Sequence, residues 1–138
     1  MKTSALAPGD LAPVDLSRAG ATLLRVALGM MFIAHSVVLK YFTFTLAGTA
    51  QYFVSIGLPA FLAHVVFALE AVGGVLLVLG IRTRWTALAL IPVLIGATWV
   101  HLGNGWVFDA PNGGWEYPVF LIVTSLVVAA QARVHKPG

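Results

Sequence analysis

Apolar residues run along the chain in four long stretches, separated by short segments rich in Gly, Pro, Asn and charge. A helix needs about 20 predominantly apolar residues to cross the hydrocarbon core of a bilayer, and each stretch is near that length. The first span is expected over about 16–41, starting after the candidate cap Asp15. The others are expected over about 61–80, 85–102 and 115–132. Pro92 is a candidate kink in the third, and Pro118 is tolerated in the first turn of the fourth. Hydrophobicity continues around every face of these segments, which argues for lipid rather than a soluble core. The predicted fold is all-α: a four-helix transmembrane bundle over 16–132, with a flexible tail over 1–15 and a short tail over 133–138.

The connections set the orientation. Residues 45–60 read as a longer loop ending Gly57-Leu58-Pro59, and 103–114 as irregular structure rich in Gly and Asn. Residues 81–84 form a tight basic turn. With four spans, both termini and that turn share one side, which carries Lys2, Arg18, Arg25, Arg82, Arg84, Arg133 and Lys136. The other side carries Lys40, read as an anchor at the outer end of the first span. The positive-inside rule then places both termini in the cytoplasm. Trp99, Trp106 and Trp115 gather toward the outer interface and Trp85 sits at the inner one, an aromatic belt. The first stretch is too long for a signal-peptide core and follows a tail with one Lys and two Asp, so it is read as an uncleaved span.

Composition narrows the chemistry. At 138 residues the chain is one domain, 59% hydrophobic and 9% charged, against roughly a quarter charged in average soluble proteins. The net charge of +3 comes from residues that punctuate apolar runs; they form no basic face of the kind nucleic acid requires. The expected surroundings are a lipid bilayer. The chain has no cysteine, which excludes disulfides, thiolate metal sites and thiol relays within it. Any redox chemistry would need a cofactor, a quinone or a partner to carry the electrons.

Polar side chains inside the apolar runs are the candidate functional residues, because a polar group in hydrocarbon must be paired. Glu70 lies near the middle of the second span, where insertion of a charge costs about 2.5–3.5 kcal/mol. It must face the bundle interior and be neutral or paired. Gly73 and Gly74 share its helical face and would admit a close neighbour. Two readings fit Glu70: a structural hydrogen bond between helices, or a proton relay or ligand contact. Arg25 lies about 10 Å and Glu70 roughly 15 Å from the inner edge at 1.5 Å per residue, so a structural Arg25–Glu70 ion pair is a candidate. The alternative is that Arg25 snorkels to the inner surface.

His35 and His101 lie near the outer ends of the first and third spans, roughly 22–25 Å above the inner boundary. Glu116 begins the fourth span in the same layer. His35, His101 and Glu116, with Trp99, are candidate quinone or ligand contacts, and Glu70, His35 and His101 a candidate proton relay, since imidazole titrates near neutral pH. The bland reading of the histidines is hydration at the interface. No ligand-pair spacing supports a metal, and no nucleotide-binding or triad motif is present.

Several runs together resemble the DoxX family of small membrane proteins: Leu24-Arg25-Val26-Ala27-Leu28-Gly29-Met30-Met31-Phe32-Ile33-Ala34-His35, Gly57-Leu58-Pro59, Glu70-Ala71-Val72-Gly73-Gly74, Leu79-Gly80-Ile81-Arg82-Thr83-Arg84 and Asn112-Gly113-Gly114-Trp115-Glu116-Tyr117. The likeness covers roughly residues 20–130. It implies a multi-pass protein of the bacterial cell (inner) membrane, a subunit or accessory of a quinone-linked oxidoreductase system with a soluble or membrane oxidoreductase partner. It also sets Arg25, His35, Glu70, Arg84 and Glu116 on the family's polar positions. A non-enzymatic adaptor for a partner protein is the alternative, and a small-solute or proton pathway, which would need a homo-oligomer, a third. Whether the chain has an activity of its own is open; if it has, it is as a quinone-linked oxidoreductase subunit. The family commonly has His-Gly in the first span with Lys four residues after the His. Here Ser36 follows His35 and Lys40 comes one residue later, about 100° further around an α-helix, so no site role is carried onto Lys40. The family takes its name from a subunit of a thiosulfate:quinone oxidoreductase; that shift, and a tail without the Gly-rich acidic ending of many relatives, point away from a thiosulfate-specific role here.

Overall fold

Asp15 caps the first helix as expected, its carboxylate accepting the Arg18 backbone N–H at 3.2 Å. The computed structural model describes residues 15–134. The tail expected over 1–15, Asp15 apart, and residues 135–138 of the second tail, with Lys2, His135 and Lys136, lie outside the described residues. Helix α1 (Leu16–Ile33) continues into a π-helical stretch, Ala34–Thr43, and the short helix α2 (Leu46–Ser55) follows. Three long helices complete the fold: α3 (Ala60–Leu79), α4 (Thr83–His101) and α5 (Glu116–Val134), with a 3-10 turn, Leu102–Asn104, after α4. All regular structure among the described residues is helical.

The order of packing is a ring in which α1 lies against α3, α3 against α4, α4 against α5 and α5 against α1, with α2 laid on α3 and the π stretch. The core is Leu28 and Phe32 of α1, Leu77 of α3, Ala87, Leu90 and Leu94 of α4, and Leu121, Val128 and Ala129 of α5. Outside it the surface stays apolar, with Leu23, Met30, Leu69, Val72, Ile95, Phe120 and Val123 all exposed. An exterior of this kind is solvated by lipid tails, not water. The α1 and π stretch, α3, and α4 with its 3-10 turn are each long and apolar enough to cross a membrane.

Two expectations change. Residues 45–60 are not an open loop: α2 fills most of them, capped by Thr45, whose hydroxyl accepts the Gly48 N–H at 3.1 Å. Its ten residues were too few for a span and its buried face, Thr49 and Ala50, too small to show as periodicity. The first span is also not uniformly α-helical. Its outer third is π, with Phe44 N–H bonded to Leu39 O five residues back at 2.8 Å. The segment over 103–114 is irregular as expected, and α4 runs unbroken through Pro92.

Glycines set the closest approach in the bundle. A Cβ on Gly29 of α1 would sit 2.7 Å from the carbonyl oxygen of Gly74 on α3, and one on Gly74 would sit 2.8 Å from the Gly29 oxygen. Two backbones thus cross in direct contact, the small-residue packing that membrane helices use in place of a hydrophobic driving force. Gly73 takes the Leu90 side chain of α4 on its other flank.

Candidate functional site

The buried acid of the second span has its partner on the π stretch. Lys40 Nζ lies 2.6 Å from Glu70 Oε2, and the two side chains are 18% and 8% exposed. The ammonium also donates to the His35 carbonyl at 3.4 Å, five residues back along its own chain. This corrects both sequence expectations for the pair. Glu70 is paired, but not with Arg25, and Lys40 is not a surface anchor.

The reason is local geometry. In an α-helix Lys40 would point about 100° away from the direction set by a Lys four residues after His35. A π turn closes on i→i+5 hydrogen bonds and so carries one more residue. The extra residue between His35 and Lys40 is absorbed, and Lys40 turns inward onto Glu70. Hydroxyls support the widened turn: buried Ser36 donates to Phe32 O at 2.8 Å and Thr43 donates to Val38 O at 2.8 Å. Thr49 of α2 donates to Lys40 O at 3.3 Å, fastening the short helix to the same segment.

Arg25 does different work. Its Nη1 donates to the Leu77 and Val78 carbonyls at 2.5 and 3.0 Å, adding to the Gly80 N–H that Leu77 O accepts at 3.2 Å and satisfying acceptors in the last turn of α3. Gly80 closes that end at φ 72°, and a Cβ there would meet the guanidinium at 2.7 Å. Neither Ala nor a larger residue fits both the left-handed backbone and Arg25. The expected Arg25–Glu70 pair therefore does not form: the guanidinium is committed to carbonyls at the C-terminal end of α3. Arg25→Met should lower stability by about 2 kcal/mol, the usual worth of hydrogen bonds from a charged donor, with Arg25→Lys between the two, as read by thermal unfolding in detergent micelles.

The layer expected to join His35, His101 and Glu116 divides into two parts. His35 Nδ1 donates to Met31 O at 3.0 Å, and its ring lies 6.1 Å from that of Tyr117 at the start of α5. A recess of about 380 Å³ beside it is lined by Phe108, Glu116, Tyr117 and Phe120. Glu116 accepts the Phe108 N–H at 3.3 Å, holding the 103–114 segment against α5. His101 belongs to that segment instead. Asn104 Nδ2 lies 3.5 Å from His101 Nδ1 and donates to the Asn112 and Gly113 carbonyls at 3.1 and 2.9 Å. Among the described residues no hydrogen bond, ion pair or ring contact joins His35, His101 and Glu116 to one another, so the expected convergence reduces to His35 with Tyr117 and its neighbour Glu116. Trp99 is 56% exposed on the surface of α4 and outside the recess. No group of three or more metal-ligating side chains occurs among the described residues.

Sequence reasoning missed Lys40 and Tyr117. The signal for Lys40 was the one-residue excess over the family spacing, which marks an inserted residue within a helix. Tyr117 carried none beyond its place next to Glu116.

A helical bundle with an apolar exterior, a buried ion pair and glycine-mediated crossings is a membrane protein. The DoxX family model matches residues 20–103, and the chain belongs to that family. It is 39% identical over 111 residues, 80% of this chain and 77% of the relative, to the protein named "Putative oxidoreductase CatD" of Bacillus subtilis (strain 168). No solved structure gives a significant match.

Proposed function

We propose that the chain is the membrane subunit of a quinone-linked oxidoreductase system in the bacterial cell (inner) membrane, crossing it four times with both termini inside. The observation that carries this reading is the buried Lys40–Glu70 pair on the π stretch that also brings the His35 ring within 6.1 Å of Tyr117, a residue of the recess wall. Charged pairs inside spans are costly and concentrate at proton and ligand pathways, and π turns concentrate at functional sites. The oxidoreductase name of the Bacillus relative agrees with it.

The outer recess suits a quinone ring. Phe108, Tyr117 and Phe120 offer aromatic faces, and the Tyr117 hydroxyl is a donor for a carbonyl oxygen. A bound quinone would supply the two-electron, two-proton chemistry, with electrons from a soluble or membrane oxidoreductase partner. His35 holds its Nδ1 proton on Met31 O, so Nε2 is free to take a proton from a hydroxyl and, once charged, to give it back. Lys40 and Glu70 neutralise one another, and Lys40, which also donates to the His35 carbonyl, keeps the turn in place. The rest of the span, with α5 as the fourth crossing, excludes water.

Native mass spectrometry of the gently extracted protein tests the proposal. Wild type should carry a quinone, and His35→Gln and Tyr117→Phe should each lower its occupancy several-fold without loss of the fold. A bare chain, or equal quinone in both variants, would overturn it, and a chain holding only an unrelated membrane protein would indicate an adaptor. Reporter fusions in the 81–84 turn should read as cytoplasmic.

A further inference from the structure

All five arginines of the chain line one cavity. Arg18 and Arg25 of α1, Arg82 and Arg84 of the α3–α4 turn, and Arg133 of α5 surround about 770 Å³ at one end of the bundle, with Trp85 at its side. No carboxylate is among the described residues that line it. Asp15 is the acid nearest in sequence, paired with Arg18 at 3.3 Å in an exposed contact of little energetic weight. Arg25 spends one nitrogen on the end of α3 and brings uncompensated charge to the back of the cavity. Leu79, Val128 and Ala132 add apolar lining, beside Thr22 and Gln131.

Orientation alone does not explain this. The positive-inside rule counts Lys and Arg alike and asks only for their side of the membrane, not for convergence. Among the described residues the cations around this concavity are all arginine, the choice for bidentate binding of phosphate oxygens. The start of α4 adds to it. Arg82, its cap, holds a left-handed backbone at φ 47° and no side chain caps the first turn, so the amides of that turn are free to meet an anion beside Arg82 and Arg84. The volume lies within the range of small-ligand sites.

We propose that this cavity binds a ligand bearing more than one phosphate, with a phospholipid headgroup of the cardiolipin class as its source. The arginines would meet the phosphates and the apolar part of the lining the lipid chains, as in basic recesses between spans on the inner face of membranes. The inference needs a membrane-spanning bundle but not a quinone, and its test reads lipid alone.

The full-length protein in mild detergent is titrated with tetraoleoyl cardiolipin or dioleoyl phosphatidylcholine and followed by native mass spectrometry. Wild type should hold one cardiolipin in preference to phosphatidylcholine. The Arg82→Gln/Arg84→Gln protein should bind cardiolipin about thirtyfold more weakly, from roughly one kcal/mol per basic residue at such surfaces, with phosphatidylcholine unchanged. Arg82→Lys/Arg84→Lys should fall between them. Should the Gln pair fail to fold, Arg133→Gln, exposed near the end of α5, replaces it. Cardiolipin that resists millimolar inorganic pyrophosphate identifies the lipid as the source; displacement by pyrophosphate keeps the phosphate site and moves the source to a soluble polyphosphate. Equal retention of the two lipids, or undiminished cardiolipin binding in the folded Gln variants, would overturn the proposal.

Discussion

Glu70→Leu will unfold at a far lower temperature than the wild-type protein, and adding Lys40→Met to it will recover most of the loss. Lys40 and Glu70 are 18% and 8% exposed. Removing one member of such a pair leaves the other charge buried and uncompensated, a cost of about 3–5 kcal/mol, whereas replacing both by apolar residues of similar volume is often neutral or stabilising. Glu70→Leu and Lys40→Met alone should therefore each be severely destabilised, and the double variant close to wild type, by thermal unfolding in lipid nanodiscs. The same three proteins separate structure from chemistry. If the pair serves the quinone site, the double variant will be folded yet inactive in quinone-dependent oxidation by membrane vesicles. A folded double variant with full activity would reduce the pair to structural glue and remove the main support for the functional reading.

How much of this was legible in the sequence depends on the kind of signal each feature leaves. Apolar runs locate α1, α3, α4 and α5 because lipid demands them, and Asp15, Gly57 and Gly80 mark boundaries through side-chain capping and left-handed backbone. Glu70 announces itself as an acid in hydrocarbon. Its partner does not, because helical phase is counted at 100° per residue and one π turn invalidates the count from His35 onward. Arg25 is misread for another reason. Its partners are the Leu77 and Val78 carbonyls, and backbone acceptors have no sequence signature, so a depth argument matches it to the only carboxylate at hand. His101 and Glu116 share a layer with His35, but depth says nothing about azimuth. The loop bonds of Asn104 and Phe108 decide that each turns toward the 103–114 segment.

Gly29→Ala should be as damaging as the loss of a buried charge, although it adds a single methyl group. The added Cβ would meet Gly74 O at 2.7 Å, Val78 N at 2.9 Å and the Val78 Cγ2 at 2.9 Å. Two of the three are backbone atoms of α3, which cannot rotate away as a side-chain tip can, so α1 and α3 must separate along their whole contact. Overpacking of this kind costs about 3 kcal/mol at the upper end of its usual range, a large share of the stability of a domain. Separation would also draw the π stretch from α3 and lengthen the Lys40–Glu70 contact, so activity should fall with stability. Gly74→Ala meets Gly29 O at 2.8 Å and the Ile33 backbone N at 3.0 Å and should behave alike. Gly73→Ala meets only the Leu90 side chain, closest at 2.9 Å, and should be tolerated better because Leu90 can shift. Gly20→Ala and Gly96→Ala, with nothing within 4 Å of the new Cβ, should gain about 0.4–1 kcal/mol from reduced chain entropy in the unfolded state. The folded, monodisperse fraction after detergent extraction and the thermal midpoint of each variant measure the order. If Gly29→Ala proves as mild as Gly73→Ala, the α1 and α3 backbones are not in contact at this crossing.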